Sequence, residues 1–199
     1  MNLPNMLLVG STARNTGKTT FCTEFIRKWH GLHSIIGVKI TTIHAENAPC
    51  PHGDEGCGVC AAFKGGYEII EEKDPFGTKD TCALLGAGAL KVYWVRSASL
   101  HLSEVVNRLL ADLPRDVIII CESNSLSGLV TPGVTIVTQR SGVYDIKPSA
   151  KPMLNRADFI VDISDQESLD TAIKKIEISS SNGEIRLTCP ILSTTKFIL

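Results

Sequence analysis

The sequence has no excess of one charge, no apolar run long enough to span a membrane, no internal repeat and no low-complexity segment. Its 20 Lys and Arg oppose 21 Asp and Glu for a formal net charge of −1. Duplex nucleic acid is gripped by basic patches, so no nucleic-acid partner is expected, and membrane-surface binding is equally unsupported. A membrane helix needs about 20 consecutive apolar residues, and none occur. The start leads almost directly into Met6-Leu7-Leu8-Val9, too short a lead for a secretory signal, so a cytoplasmic protein is expected. No Ser/His/Asp set, no paired catalytic carboxylates and no Asn-Lys-x-Asp guanine-reading motif is visible.

What is present suffices for one core. With 199 residues, 43% hydrophobic and 21% charged, the chain reads as a single domain, 1–199. Short apolar runs at Met6–Val9, Ile35–Ile40, Val92–Val95, Val117–Ile120, Val134–Val137 and Phe159–Ile163 are rich in β-branched residues and do not alternate, the mark of strands buried on both faces. Helical patterns fall between them at Lys18–His30, Lys79–Gly86, Leu102–Leu113 and Ser168–Ile176, the third capped by Ser99 or Ser103. The alternation predicts an α/β fold: a mostly parallel β-sheet flanked by helices, with ligands at the carboxyl ends of the strands. The tail from Glu177 reads as a hairpin closing that sheet, turning at Ser179 to Gly183. Trp29, Tyr93 and Trp94 fall where helix and strand would bury them.

The first strand runs into Gly10-Ser11-Thr12-Ala13-Arg14-Asn15-Thr16-Gly17-Lys18-Thr19-Thr20 and then a helix. A P-loop has this context: backbone N–H groups at a helix N-terminus wrap phosphates, a lysine reaches the β and γ oxygens, and a hydroxyl meets magnesium. Arg14, Asn15, Thr16, Gly17, Lys18, Thr19 and Thr20 are the expected binding residues for GTP or ATP, with Thr19 on the magnesium ion. The usual first glycine is Thr12 here, and a glycine stands two places earlier at Gly10. A second carboxylate ligand for magnesium belongs at the end of a buried strand, and Val117-Ile118-Ile119-Ile120-Cys121-Glu122 supplies Glu122. Asp80 opens a helix, where an acidic residue also suits the helix dipole.

Together with Gly37-Val38-Lys39, Gly77-Thr78-Lys79-Asp80-Thr81 and Gly86-Ala87-Gly88-Ala89, this order over residues 6 to 125 resembles the molybdopterin-guanine dinucleotide biosynthesis accessory protein (MobB) family. That family lies within the P-loop NTPase class that also holds dethiobiotin synthetase. The resemblance implies GTP and magnesium binding, slow hydrolysis with Lys18, Asp80 and Glu122 as catalytic groups, help in assembling the molybdenum or another metallocofactor, a cofactor-assembly protein partner, and a homodimer. The runner-up is an ATP-dependent small-molecule ligase or kinase resembling dethiobiotin synthetase, with Lys39 on the acceptor. A third reading is a nucleotide-switched metal-binding interaction module.

That third reading rests on the Cys/Gly/Pro-rich insertion at 45–66, which interrupts the pattern with too many glycines and prolines for regular structure. Cys50, His52, Cys57 and Cys60 stand within eleven residues, and Cys57-x-x-Cys60 is a two-ligand clip suited to zinc or, through the thiolates, an iron–sulfur cluster. The other cysteines, Cys22, Cys82, Cys121 and Cys189, sit in apolar stretches and read as core. Elemental analysis of anaerobically purified protein is expected to show zinc or iron that a Cys57→Ser/Cys60→Ser double variant loses. Equal metal in both proteins would return the insertion to a loop with free thiols.

Overall fold

Strands that are apolar on both faces need cover on both faces, and the first strand shows how this chain provides it. In a computed structural model, which describes residues 1–43 and 65–190, β1 (Asn2–Ser11) turns Leu7 and Val9 into one buried layer and Met6 and Leu8 into the other. On the first side lie α1 (Lys18–Trp29), through Phe21, Phe25 and Ile26, and α5 (Gln166–Lys175), through Leu169, Ala172 and Ile173. On the second lies α3 (Leu102–Ala111), through Val105, Val106 and Leu109. The chain is thus α/β, a mostly parallel sheet of seven strands flanked by helices. Among the described residues no helix is long and apolar enough to cross a membrane.

The remaining strands are β2 (Ile35–Ile43), β3 (Tyr67–Glu71), β4 (Lys91–Ala98), β5 (Ile118–Glu122), β6 (Thr131–Gln139) and β7 (Phe159–Asp162), in the spatial order β3-β4-β2-β5-β1-β6-β7. Every ladder is parallel except that of β3 on β4. After β1 the chain passes outward to β2 and β4, returns to β5 between β2 and β1, then crosses to β6 on the far flank of β1. Such a reversal leaves a crevice at the carboxyl ends of the strands, where ligands of α/β sheets sit.

Several elements differ from the sequence reading. The edge strand β3 is additional; Tyr67 to Glu71 is only half buried and mixes charged with apolar residues, so it lacks the buried-strand pattern. Neither Ser99 nor Ser103 caps α3, whose N-cap is His101, preceded by a 3₁₀ turn at Ser99–His101. The cap on α5 is Asp165, whose carboxylate accepts from Glu167 N at 3.0 Å. A one-turn helix, α4 (Lys151–Leu154), was not expected either.

The C-terminal hairpin, β8 (Glu177–Ser181) with β9 (Glu184–Thr188), forms as expected but does not close the seven-stranded sheet: it is a separate two-stranded sheet. Its alternating Ile185 and Leu187 are buried in the same layer as α1 and α5. The main chain at Leu187 lies so near β6 that a Cβ on Gly133 would stand 2.7 Å from the Leu187 carbonyl oxygen and 2.2 Å from that of Pro4. The β1–β6 register shifts at the neighbouring Leu3–Leu7 step. Docking rests on side-chain burial and on a single main-chain bond from Ile185 N to the Arg115 carbonyl at 3.0 Å rather than on a ladder. Leu187→Ala is expected to lower unfolding free energy by about 2–5 kcal/mol in urea denaturation; a loss within error of zero would show that the hairpin is not part of the cooperative core.

Candidate functional site at the carboxyl edge of the sheet

Parallel pairing brings the ends of β1, β2, β5 and β6 to one edge, and the register does the rest. Glu122, the last residue of β5, pairs with Val9 of β1 on one side and Lys39 of β2 on the other. Its carboxylate is buried, with 4% exposed, so it needs partners. Thr19 Oγ1 donates to Glu122 Oε2 at 3.0 Å, Lys18 Nζ lies 3.7 Å from Oε1, and Lys39 Nζ lies 4.0 Å from Oε1. Lys39 also pairs closely with Asp80, the first residue of α2 (Asp80–Gly86). Burial alone would raise the Asp80 carboxyl, but Lys39, Thr19 and Lys18 together hold it below the usual range. The start of α2 is itself tied down by Glu72, which accepts from Thr81 Oγ1 at 2.7 Å and is thereby lowered to about 2.

The loop from Thr12 to Gly17 leads from β1 into the helix start that carries Lys18 and Thr19. Thr12 extends the ladder to β6, with its N–H on the Thr138 carbonyl at 2.9 Å. Ser11 Oγ donates to the Ala13 carbonyl at 2.8 Å, and Thr16 Oγ1 does so at 3.0 Å. Asn15 and Gly17 take positive φ, 54° and 84°, which turns the chain into α1. As N-cap of that 12-residue helix, Gly17 gives its first N–H groups no side-chain acceptor. Arg14, Asn15 and Thr20 are exposed, and Thr16 is buried. The start of α1, with main-chain N–H groups that no side chain caps and Lys18 in its first turn, has the chemistry that suits an anion.

Gly10, which stands near the place of the usual loop glycine, has a packing reason: a Cβ there would lie 2.2 Å from Met153 Sδ of α4. Gly17 has a steric reason besides its φ, since a Cβ would meet Ile163 at 2.5 Å.

Two residues absent from the sequence reading belong to the site. Asn124, just after β5, accepts from Ser11 N at 3.0 Å and donates to the Ser11 carbonyl at 2.9 Å, clamping the last residue of β1 before the loop. Lys147, in the segment after β6, donates to Ser11 Oγ at 3.1 Å; Lys18 donates to that same oxygen at 3.2 Å. Burial, and then the neighbouring Lys18 charge, pull Lys147 down to about 8. No local pattern marks either residue, because their partner Ser11 is 113 and 136 positions away.

Beside Lys39 a cavity of about 250 Å³ is lined by Thr78, Lys79, Asp80, Thr81 and Trp94. Trp94 is a wall of this cavity, not a core residue, and its Nε1 donates to Thr41 Oγ1 at 3.0 Å. A larger cavity of about 430 Å³ lies toward the start of β6, where Arg156 bonds the Ser127 carbonyl at 2.9 Å and Asp158 the Thr135 N–H at 2.7 Å. Its charged groups are engaged in holding the fold.

Cys50, His52, Cys57 and Cys60 lie outside the described residues, as does nearly all of the 45–66 insertion. Among the described residues no group of three or more His, Cys, Asp or Glu side chains is placed to hold a metal by itself. Cys22, Cys82 and Cys121 are buried core thiols as expected, while Cys189 is only partly buried.

Asn124→Ala would leave Ser11's backbone groups without their partner at a cost of about 1–3 kcal/mol. A correspondingly lower urea midpoint is expected; an unchanged one would show that the loop holds its shape without the clamp. Comparison with protein-family models, curated proteins and solved structures finds no match to this chain, so its site is read from its own chemistry.

Proposed function

We propose that this chain is a P-loop nucleotide-binding protein that holds GTP or ATP with magnesium and hydrolyses it slowly. The observation that carries the reading is the 3.0 Å bond between Thr19 and Glu122, which brings a helix-start hydroxyl and a buried strand-end carboxylate together across 103 residues. Hard oxygen ligands of this kind fit a magnesium ion that takes its remaining ligands from phosphate and water. When bound, that ion would neutralise charge across the β and γ oxygens. The main chain from Arg14 to Thr19 would cradle the phosphates, with Lys18 turning from Ser11 to their oxygens. Asp80 and Glu122 would orient the attacking water, and Asn124 keeps the loop in the shape that binding requires. Resemblance to the MobB family adds the role: assisting assembly of the molybdenum cofactor or another metallocofactor in the cytoplasm, with an assembly protein as partner and a homodimer as the working form.

The cavity beside Lys39 favours a second reading. It would receive a small acceptor next to the terminal phosphate, with Lys39 on the acceptor, as in a small-molecule kinase or ligase resembling dethiobiotin synthetase. Nucleoside diphosphate released at the same rate with water alone as with small carboxylates or amines favours hydrolysis; release that depends on an added acceptor favours transfer.

Two substitutions test the common core of both readings. Lys18→Ala is expected to lose on the order of a hundredfold in triphosphate affinity by calorimetry while remaining folded, because a charge-assisted contact worth about 1.5–3 kcal/mol is removed. Unchanged affinity for both GTP and ATP would sink the assignment. Glu122→Gln is expected to bind nucleotide with a weakened magnesium response, and a wild-type response would make Glu122 purely structural.

A further inference from the structure

Lys147 is a cation that the proposed phosphate site has not yet used. Its ammonium is half-buried and stands 3.1 Å from Ser11 Oγ, while Lys18 Nζ stands 3.2 Å from the same atom. The hydroxyl proton is committed to the Ala13 carbonyl, so both lone pairs of this oxygen face ammonium groups. Among the described residues no carboxylate forms an ion pair with Lys147. The acidic charge that bears on it is that of Glu122, whose carboxylate already serves Thr19, Lys18 and Lys39; Arg14 adds a third positive charge. Like charges held together at partial burial are costly. A polyanion placed between them would turn that cost into attraction.

The side chain is not needed to hold its own segment, because the Lys147 N–H already bonds the Thr12 carbonyl at 3.0 Å and its carbonyl accepts from Ala150 N at 2.9 Å. Its position is also directional. Lys147 follows β6, which flanks β1 on one side, whereas Glu122 ends β5 on the other, and Lys18 lies between them, 3.7 Å from Glu122. Since Lys18 is the group expected on the β and γ oxygens, an ammonium that shares Lys18's resting partner from the far flank can reach the same oxygens from the side away from Glu122.

We propose that Lys147 is a second phosphate-binding cation that grips the terminal phosphate of a bound nucleoside triphosphate from the side opposite Thr19 and Glu122. This rests on the nucleotide-binding reading and adds a specificity to it: the site distinguishes triphosphate from diphosphate through a residue of the β6–α4 segment. Binding would draw that segment onto the nucleotide, and loss of the terminal phosphate would release the contact.

Calorimetry with magnesium and the β,γ-imido analogues of GTP and ATP, set against GDP and ADP, tests this on wild type, Lys147→Met, Lys147→Gln and Lys147→Arg. Removing the charge is expected to weaken the triphosphate analogue at least about tenfold and the diphosphate less than about twofold, with arginine restoring most of the difference. Unchanged triphosphate affinity, or equal losses for triphosphate and diphosphate, would overturn the proposal while leaving the nucleotide-binding reading intact. A wild-type protein that binds neither class overturns both. Thermal melting without nucleotide gives an independent readout: relief of charge crowding predicts that Lys147→Met melts no lower than wild type. A lower melting temperature together with an unchanged triphosphate-to-diphosphate ratio would make Lys147 a structural strut and overturn its role.

Discussion

Glu122 is the charge around which this edge of the molecule is built. A carboxylate with 4% exposure cannot rely on water, and its stabilisation falls to Thr19, Lys18 and Lys39. They come from two pieces of chain: Thr19 and Lys18 from the first turn of α1, and Lys39 from β2, itself held by Asp80 at the head of α2. The buried acid therefore fixes the relation of two helices and three strands. Two partly exposed lysines thus share a single buried carboxylate at this edge.

The sheet makes this possible by its crossing pattern. Because β5 inserts between β2 and β1, Glu122 is in register with Lys39 on one side and Val9 on the other. Because β6 lies beyond β1, the segment carrying Lys147 returns over the opposite flank of the loop and is pinned to Thr12 by its main chain. Two cations thus share Ser11 Oγ, and Asn124 fixes Ser11 through both of its backbone groups. Glycines near the loop serve separate purposes. Gly10 admits Met153, while Gly17 combines a left-handed backbone with close packing against Ile163.

The cavity at Lys39 gives the same edge a second compartment. Its walls include Asp80 and Trp94, so the pair that steadies Glu122 also borders space for a small molecule. In the proposed function, hydrolysis and transfer would differ only in what occupies that space.

The sequence by itself determined the α/β class, the positions of six strands and four main helices to within a few residues, though the last of those strands is a half-exposed edge strand, and the strand–loop–helix that carries Lys18 and Thr19. Those features are local: period, apolar runs and the spacing of glycine, lysine and threonine are written in consecutive residues. It also singled out Glu122 and Asp80, because a charge at the end of a buried strand or the head of a helix departs from its surroundings. Strand order, the antiparallel edge strand Tyr67–Glu71, the separate docking of the hairpin, the clamp by Asn124 and the approach of Lys147 were decided only by tertiary structure. The physical reason is distance along the chain. Asn124 and Lys147 acquire meaning from Ser11, more than a hundred residues away, and only the pairing of β1 with β5 and β6 brings them to it.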